Sequence, residues 1–159
     1  MGFLQPLLSA TNASTVNTGT DTSGFVTADA LAGSNLGTRV VEVIVAGSGT
    51  AVTTGDGTDG VGITAELNGM DIVDVTAFVH DKGITGTTDI QIRRRRAGSD
   101  SDVLSTKVTL GDEFFASDGV INTSNDDLAT GDMLYVDVDA IHSGTAPNGL
   151  TVAIQLRLP

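Results

Sequence analysis

"DMLYVDVDAI", residues 132–141, decides the fold. Leu134, Val136, Val138 and Ala140 fall on one parity, and Met133, Tyr135, Asp137 and Asp139 on the other. Side chains two apart share a face of a strand, so this alternation makes a half-buried β-strand with one apolar and one polar side. A helix would scatter both sets around its axis.

The same period continues on both sides of that stretch. Downstream, "GLTVAIQLRLP" (149–159) sets Leu150, Val152, Ile154, Leu156 and Leu158 together. Upstream, "DVLSTKVTL" (102–110) groups Leu104, Thr106, Val108 and Leu110, and "TDIQIRRR" (88–95) turns Ile90 and Ile92 inward with Gln91 and Arg93 outward. In "DIVDVTAFVH" (71–80), Val73, Val75, Ala77 and Val79 oppose Asp74, Thr76 and His80. "RVVEVIVA" (39–46) is an almost unbroken β-branched run and reads as a buried strand. "VGITAEL" (61–67) and "GVIN" (119–122) are shorter candidates. "TTGDGTDG" (53–60) and "NGM" (68–70) are turns, the second because Asn-Gly supplies positive φ. About eight short strands with turn clusters between them predict an all-β protein, an antiparallel β-sandwich with jelly-roll topology. The immunoglobulin sandwich is the alternative, and the chain lacks its Cys…Trp…Cys pattern.

A chain of 159 residues fits one domain with a self-supporting core. Seventeen Asp and three Glu against two Lys and six Arg give a formal net charge of −12. The excess of Asp disfavours helix, because Asp prefers caps and turns. Such a surface repels nucleic acid and anionic membranes and suits a high-salt medium, where its self-repulsion is screened. Without cysteine there are no disulfides, thiolate metal sites or cysteine nucleophile. "MGFLQPLLSA" (1–10) has no basic segment, and its apolar run is too short for a signal peptide or a membrane span. Pro6 stands where a myristoylation signal wants Ser or Thr. A soluble protein is the expectation. Residues 9–24 are rich in Ser, Thr, Asn and Gly and read as an extended arm, which divides the chain into an arm (1–36) and a sandwich domain (37–159). Phe3, Leu4, Leu7 and Leu8 either anchor that arm on a neighbour or fold it back on its own domain.

Four of the eight basic residues stand together as Arg93, Arg94, Arg95 and Arg96. On a strand they alternate between faces, so Arg94 would enter the core beside Ile90 and Ile92. A buried unpaired guanidinium is prohibitive, and the strand is therefore expected to leave the sandwich by residue 94, with "AGSDSD" as its turn. The expected partners are Asp100 and Asp102, or the Asp137/Asp139 pair. One reading is a solvated, locally paired strand end. Another is an intersubunit lock onto an acidic neighbour, since Arg is favoured in interface pairs. Nucleic-acid binding is opposed by the net charge and by the lack of interleaved aromatics.

No catalytic set stands out. His80 and His142 read as ordinary surface histidines, and no G-x-S-x-G is present. For a cation, "GDGTDG" (55–60) offers Asp56 and Asp59 as calcium ligands, and "NDD" (125–127) with Asp132 adds oxygen. Turn chemistry explains the same residues. No other cofactor is expected. Asn12 and Asn122 open Asn-x-Ser sequons.

From residue 55 onward the chain carries "ELNGM" (66–70), "TGTTDIQI" (85–92), "DVLSTK" (102–107), "DDLATGD" (126–132) and "VDVDAI" (136–141) leading to "GL" (149–150). This ordered string, over about two-thirds of the chain, resembles a widespread group of small virion domains of tailed bacteriophages and tailed archaeal viruses. The resemblance implies a β-sandwich structural protein with no enzymatic activity. Relatives occur on the head surface and in tail or fibre proteins; the first forty residues and the arginine run lie outside the match. The compact length favours a capsid decoration (cement) protein over a fibre. Such a protein would sit on the outer surface of the head and bind the major capsid protein and copies of itself, with a trimer as the first expectation. It would have no nucleic-acid or membrane partner. The alternative is a receptor-binding turret, head-fibre or tail-fibre module using loops 53–60, 81–88 and 111–131.

Overall fold

The computed structural model describes residues 10–11, 25–27, 30–31 and 34–159. Phe3, Leu4, Leu7, Leu8 and Asn12 lie outside them. Two short strands, β1 (Ala10–Thr11) and β2 (Phe25–Val26), pair in parallel ahead of the main body. Then come β3 (Thr38–Ile44), β4 (Val61–Gly62), β5 (Asp71–Asp81), β6 (Thr88–Arg96), β7 (Ser99–Asp102), β8 (Leu104–Thr106) and β9 (Val108–Leu110). The chain ends through β10 (Phe115–Ala116), β11 (Val120–Ile121), β12 (Met133–Ala140) and β13 (Asn148–Arg157).

Among the described residues two larger antiparallel sheets form, beside the small β1–β2 and β8–β11 pairs. Sheet I has the order β10-β5-β13-β3, and sheet II the order β4-β12-β6-β7, with β9 on β6 beyond β7. The first and last long strands are neighbours in sheet I, and the strands between them cross from layer to layer one at a time, except that β6 is followed by β7 and β9 in sheet II. This is the jelly-roll connection, with β7 and β9 sharing one of its eight positions. Between the layers lie Val75, Ala77, Leu150, Val152, Ile154 and Leu156 from sheet I, facing Ile90, Ile92, Leu134, Val136 and Val138 from sheet II. Every apolar position expected to be inward on the final strand is buried except Leu158, which follows the strand's end.

The alternation fails at identifiable places. Val73, expected inward, is exposed, and Ile72 is buried instead. The β5–β13 register shifts between Gln155 and Leu156, which face Asp74 and Ile72, so Val73 is the extra residue of a β-bulge and the inward parity slips by one. Residues 39–46 are not a doubly covered strand, since β3 lies at the edge of sheet I with Val40 and Ile44 exposed. Residues 61–67 form strand only at Val61–Gly62, and Ala65–Leu67 turn as a 3₁₀ helix. Residues 102–110 split into pieces, and Thr106 is exposed. β9 stays on β6, while β8 swings away to pair with β11.

That split has a local cause. Gln91, expected outward, is 5% exposed. Its Nε2 donates to the Leu104 carbonyl (3.0 Å), and its Oε1 accepts the N–H of Leu104 (3.0 Å) and of Ile92 (2.9 Å). A side-chain amide thus replaces one rung of the ladder where β7 gives way to β8.

Candidate functional site

The arginine run lies on the strand, with no exit before it. β6 continues through Arg96, pairing Arg93–Arg95 with Tyr135–Met133 of β12 and Arg93–Arg96 with Asp102–Ser99 of β7. The β6–β7 turn is only Ala97–Gly98, with φ of +50° and +84°, the geometry of a two-residue hairpin turn. The expected departure at residue 94 is corrected accordingly, and residues 99–102 are strand. Arg94 is buried at 7% exposure, its Nη1 reaching out to the exposed carboxylate of Asp127 at the rim while its Nε has no hydrogen-bond partner.

Each face of the strand has its own acids. On the outer face, Arg93 grips Asp137 through Nε (2.8 Å) and Nη2 (3.1 Å), donates Nη1 to Asp100 (3.3 Å), and lies over the Tyr135 ring at 4.7 Å. Arg95 reaches Asp100 at 3.2 Å. On the inner face, Arg94 donates Nη1 to Asp127 Oδ1 (2.8 Å) and to the Asp127 carbonyl. Arg96 holds Asp132 through Nε (2.9 Å) and Nη2 (2.6 Å), and Asp127 through Nη1 (2.8 Å). Paired, fork-to-carboxylate contacts of this kind are the strong form of ionic hydrogen bond. Asp137 and Asp132 are buried, at 6% and 2% exposure. Asp137 raises the pKa of Arg93 against the opposing effect of burial, and Asp132 does the same for Arg96. In return Arg96 holds Asp132 below the usual carboxylate range, and Arg96 with Arg94 does so for Asp127.

Of the expected partners, Asp100 and Asp137 meet the run, whereas Asp139 pairs with Lys107 at 2.9 Å. Asp127 and Asp132, first read as spare oxygen for a cation, are the ligands of Arg94 and Arg96. The sequence did contain a signal for them, since two arginines on an inward parity demand acids from a segment that caps that end of the sandwich. The capping segment is 122–132, and it is locked in place. Gly69 N–H donates to Leu128 O (2.9 Å), Leu128 N–H to Met70 O (2.9 Å) and Ile72 N–H to Asp126 O (2.9 Å). Asn68 Oδ1 accepts the Thr130 N–H (2.9 Å), and Gly69 has the positive φ (+80°) expected of the Asn-Gly turn.

Asp56 and Asp59 are exposed on the loop that runs beside β12. Among the described residues, no three His, Asp or Glu side chains are placed to hold a cation together. The loop is fixed by Gly57, whose N–H donates to Asp137 Oδ1 (2.7 Å) and whose carbonyl accepts Arg93 Nη2 (3.1 Å). A cleft of about 270 Å³ lies between this loop and β3, lined in part by Val43, Ile44, Thr53 and Val138. His80 is exposed beside Asp81. His142 is not at the surface. It is 4% exposed, its Nδ1 2.9 Å from Thr88 Oγ1 and its Nε2 3.2 Å from the Gly111 carbonyl. Nε2 faces a carbonyl oxygen and donates there, and Thr88 Oγ1 partners the other ring nitrogen, so the ring ties β6 to Gly111, a structural use of histidine.

No family model matches the chain, and no curated protein matches it. Among solved structures it is similar to a chain in the structure of infectious bursal disease virus Gx strain, at 12% identity and a TM-score of 0.37. The similarity covers 76% of this chain and 33% of that one, so this chain spans about a third of that protein's length.

Proposed function

We propose that the protein is a virion structural component, a capsid decoration protein that binds the outer surface of a tailed virus head, contacts the major capsid lattice and copies of itself, and catalyses no reaction. One observation carries this reading. The motifs behind the resemblance to tailed-virus virion domains are spent on framework. "ELNGM" and "DDLATGD" interlock through Asn68–Thr130 and Gly69–Leu128, the second motif supplies Asp127 and Asp132 to the arginines, and "TGTTDIQI" and "VDVDAI" are the paired central strands of sheet II. Residues shared for the sake of a pocket would converge on one; these tie loops to strands.

A rigid, acidic body of this kind suits repeated lateral contact on a shell, where many identical weak interfaces add up. Phe3, Leu4, Leu7 and Leu8 are proposed as capsid contacts. Within the arginine run the contact role narrows to Arg95. It is the most exposed of the four side chains, at 48%, and its one carboxylate, Asp100, is shared with Arg93.

A receptor-binding turret or fibre module is the second reading, favoured by an open groove of about 340 Å³ on the outer side of sheet I, lined by Phe78, His80, Gly149 and Thr151 among others. Copy number separates the two. Quantitative mass spectrometry of purified particles is expected to find hundreds of copies per virion. A few to several dozen would reject decoration and indicate a vertex or tail position.

A further inference from the structure

The composition of β3 does not match its surroundings. Val40, Val41, Val43 and Ile44 give it apolar side chains on both faces, as in strands covered on both sides. Only the inner side is covered. Val43 is buried and Val41 packs against the core, whereas Val40 and Ile44 are 58% and 71% exposed. The strand's lateral edge is open as well, because among the described residues β3 pairs with β13 alone. Val45 donates its N–H to Leu150 O (2.8 Å), next to the Ile44–Thr151 pair. The ladder alternation therefore turns the backbone groups of residues 39, 41 and 43 toward β13, and those of Val40, Glu42 and Ile44 outward. Proline, lysine and bulges, the usual protections of a free edge, are missing from this strand.

Charge identifies the occupant. β3 and its neighbour β13 together hold one carboxylate, Glu42, and two arginines, Arg39 and Arg157, in a chain of net charge −12. Two copies approaching by most other routes bring acidic surfaces together; along this edge they do not. A flat β-branched edge is also its own complement when turned through a two-fold axis.

We propose that β3 is a self-association edge, on which two copies pair β3 to β3 in antiparallel fashion and join their sheets I into one continuous layer. The register that overlaps the whole strand turns about Val41. It sets Val40 against Glu42 of the second copy and Thr38 against Ile44 of the second copy, so Glu42 never faces itself across the seam. The unit is a dimer, in place of the trimer first expected. The pairing locates the self-association within the decoration reading and rests on that reading for its setting.

The test uses the full chain and a Val40→Lys/Ile44→Lys variant. Both side chains are more than half exposed, so the fold should be kept, which an unchanged β-sheet circular-dichroism spectrum and a cooperative melt check, the melting temperature itself falling only by what loss of the dimer removes. Light scattering after size exclusion at tens of micromolar is expected to give twice the chain mass for the native protein and the single-chain mass for the variant. Hydrogen exchange should show the Val40, Glu42 and Ile44 amides protected in the native protein and at least tenfold faster in the variant. A native protein that is monomeric throughout, or a variant that stays dimeric, overturns the pairing. So does a monomer whose β3 amides are protected, because another segment of the chain would then cover the edge. A β3-paired dimer never found on particles would refute decoration and leave the pairing standing, and a monomer that decorates would do the reverse.

Discussion

Asp132 is buried and accepts hydrogen bonds from Arg96 Nε, Arg96 Nη2 and the Ala129 N–H. Arg96→Gln removes the charge that compensates it, and the expected loss is roughly 2–3 kcal/mol, somewhat under the roughly 3–5 kcal/mol of a fully buried pair because the Arg96 side chain is itself about a third exposed. Urea midpoints measure it. Arg96→Lys should recover only part, since one ammonium cannot reproduce the two-point grip. The same carboxylates set the acid response. Asp127 and Asp132 are held below their ordinary range by Arg96, with Arg94 helping at Asp127. On acidification the unfolded chain therefore takes up these protons first, near its ordinary pKa of about 3.9, and stability falls as pH drops through and below that value. Above it their contribution is complete. Asp71 opposes this slightly, since burial and the nearby Asp126 and Asp127 raise its pKa and the folded form takes that proton first. Midpoints between about pH 3 and pH 7 should thus be level at the upper end and fall steeply below about pH 4, with a shallower fall in Arg96→Gln. The alternation of the four arginines was legible in the sequence. The partner of Arg94 was not, because Asp127 lies 33 residues away and only the closed fold brings it to the inner face.

At the scale of elements, regular strands were readable and their interruptions were not. The parity of β6, β12 and β13 follows from the sequence, because a two-residue period has one way to face a core. The bulge at Val73 and the Gln91 side-chain rung depend on what the neighbouring strand offers, which no local pattern records. The loop beside β12 shows the same dependence. "TTGDGTDG" reads as a free turn, yet Gly55 bridges Val138 and Gly57 lies against the strand. A Cβ at Gly57 would stand 2.3 Å from the Val136 carbonyl oxygen, which is backbone and cannot move aside cheaply. Gly57→Ala should therefore displace the loop, break the Gly57–Asp137 and Gly57–Arg93 hydrogen bonds, and cost about 1–3 kcal/mol as overpacking. Proteolysis within residues 53–60 would report the displacement, and an unchanged cleavage rate would count against the described docking.

For the whole molecule, the proposed division between arm and sandwich makes a direct prediction. Removing residues 1–24 should abolish attachment to particles while leaving the thermal midpoint of the sandwich unchanged; attachment that survives would refute an anchoring role for Phe3, Leu4, Leu7 and Leu8. The all-β class and jelly-roll order were within reach of periodicity, since turn spacing and strand number narrow the topologies to a few. The open flank of β3 was hidden, because an apolar run looks alike whether a core or a companion covers it. The arginine cluster, finally, divides the protein into two electrical regions. Its four guanidiniums are matched by Asp100, Asp127, Asp132 and Asp137, so it is neutral as a unit. The remainder has 20 − 4 = 16 acids and 8 − 4 = 4 bases, and so carries the entire −12. Brine and fresh water should then act on different parts of the molecule: added salt softens the repulsion between neighbouring copies, while the buried Arg93–Asp137 and Arg96–Asp132 grips stay nearly as they were.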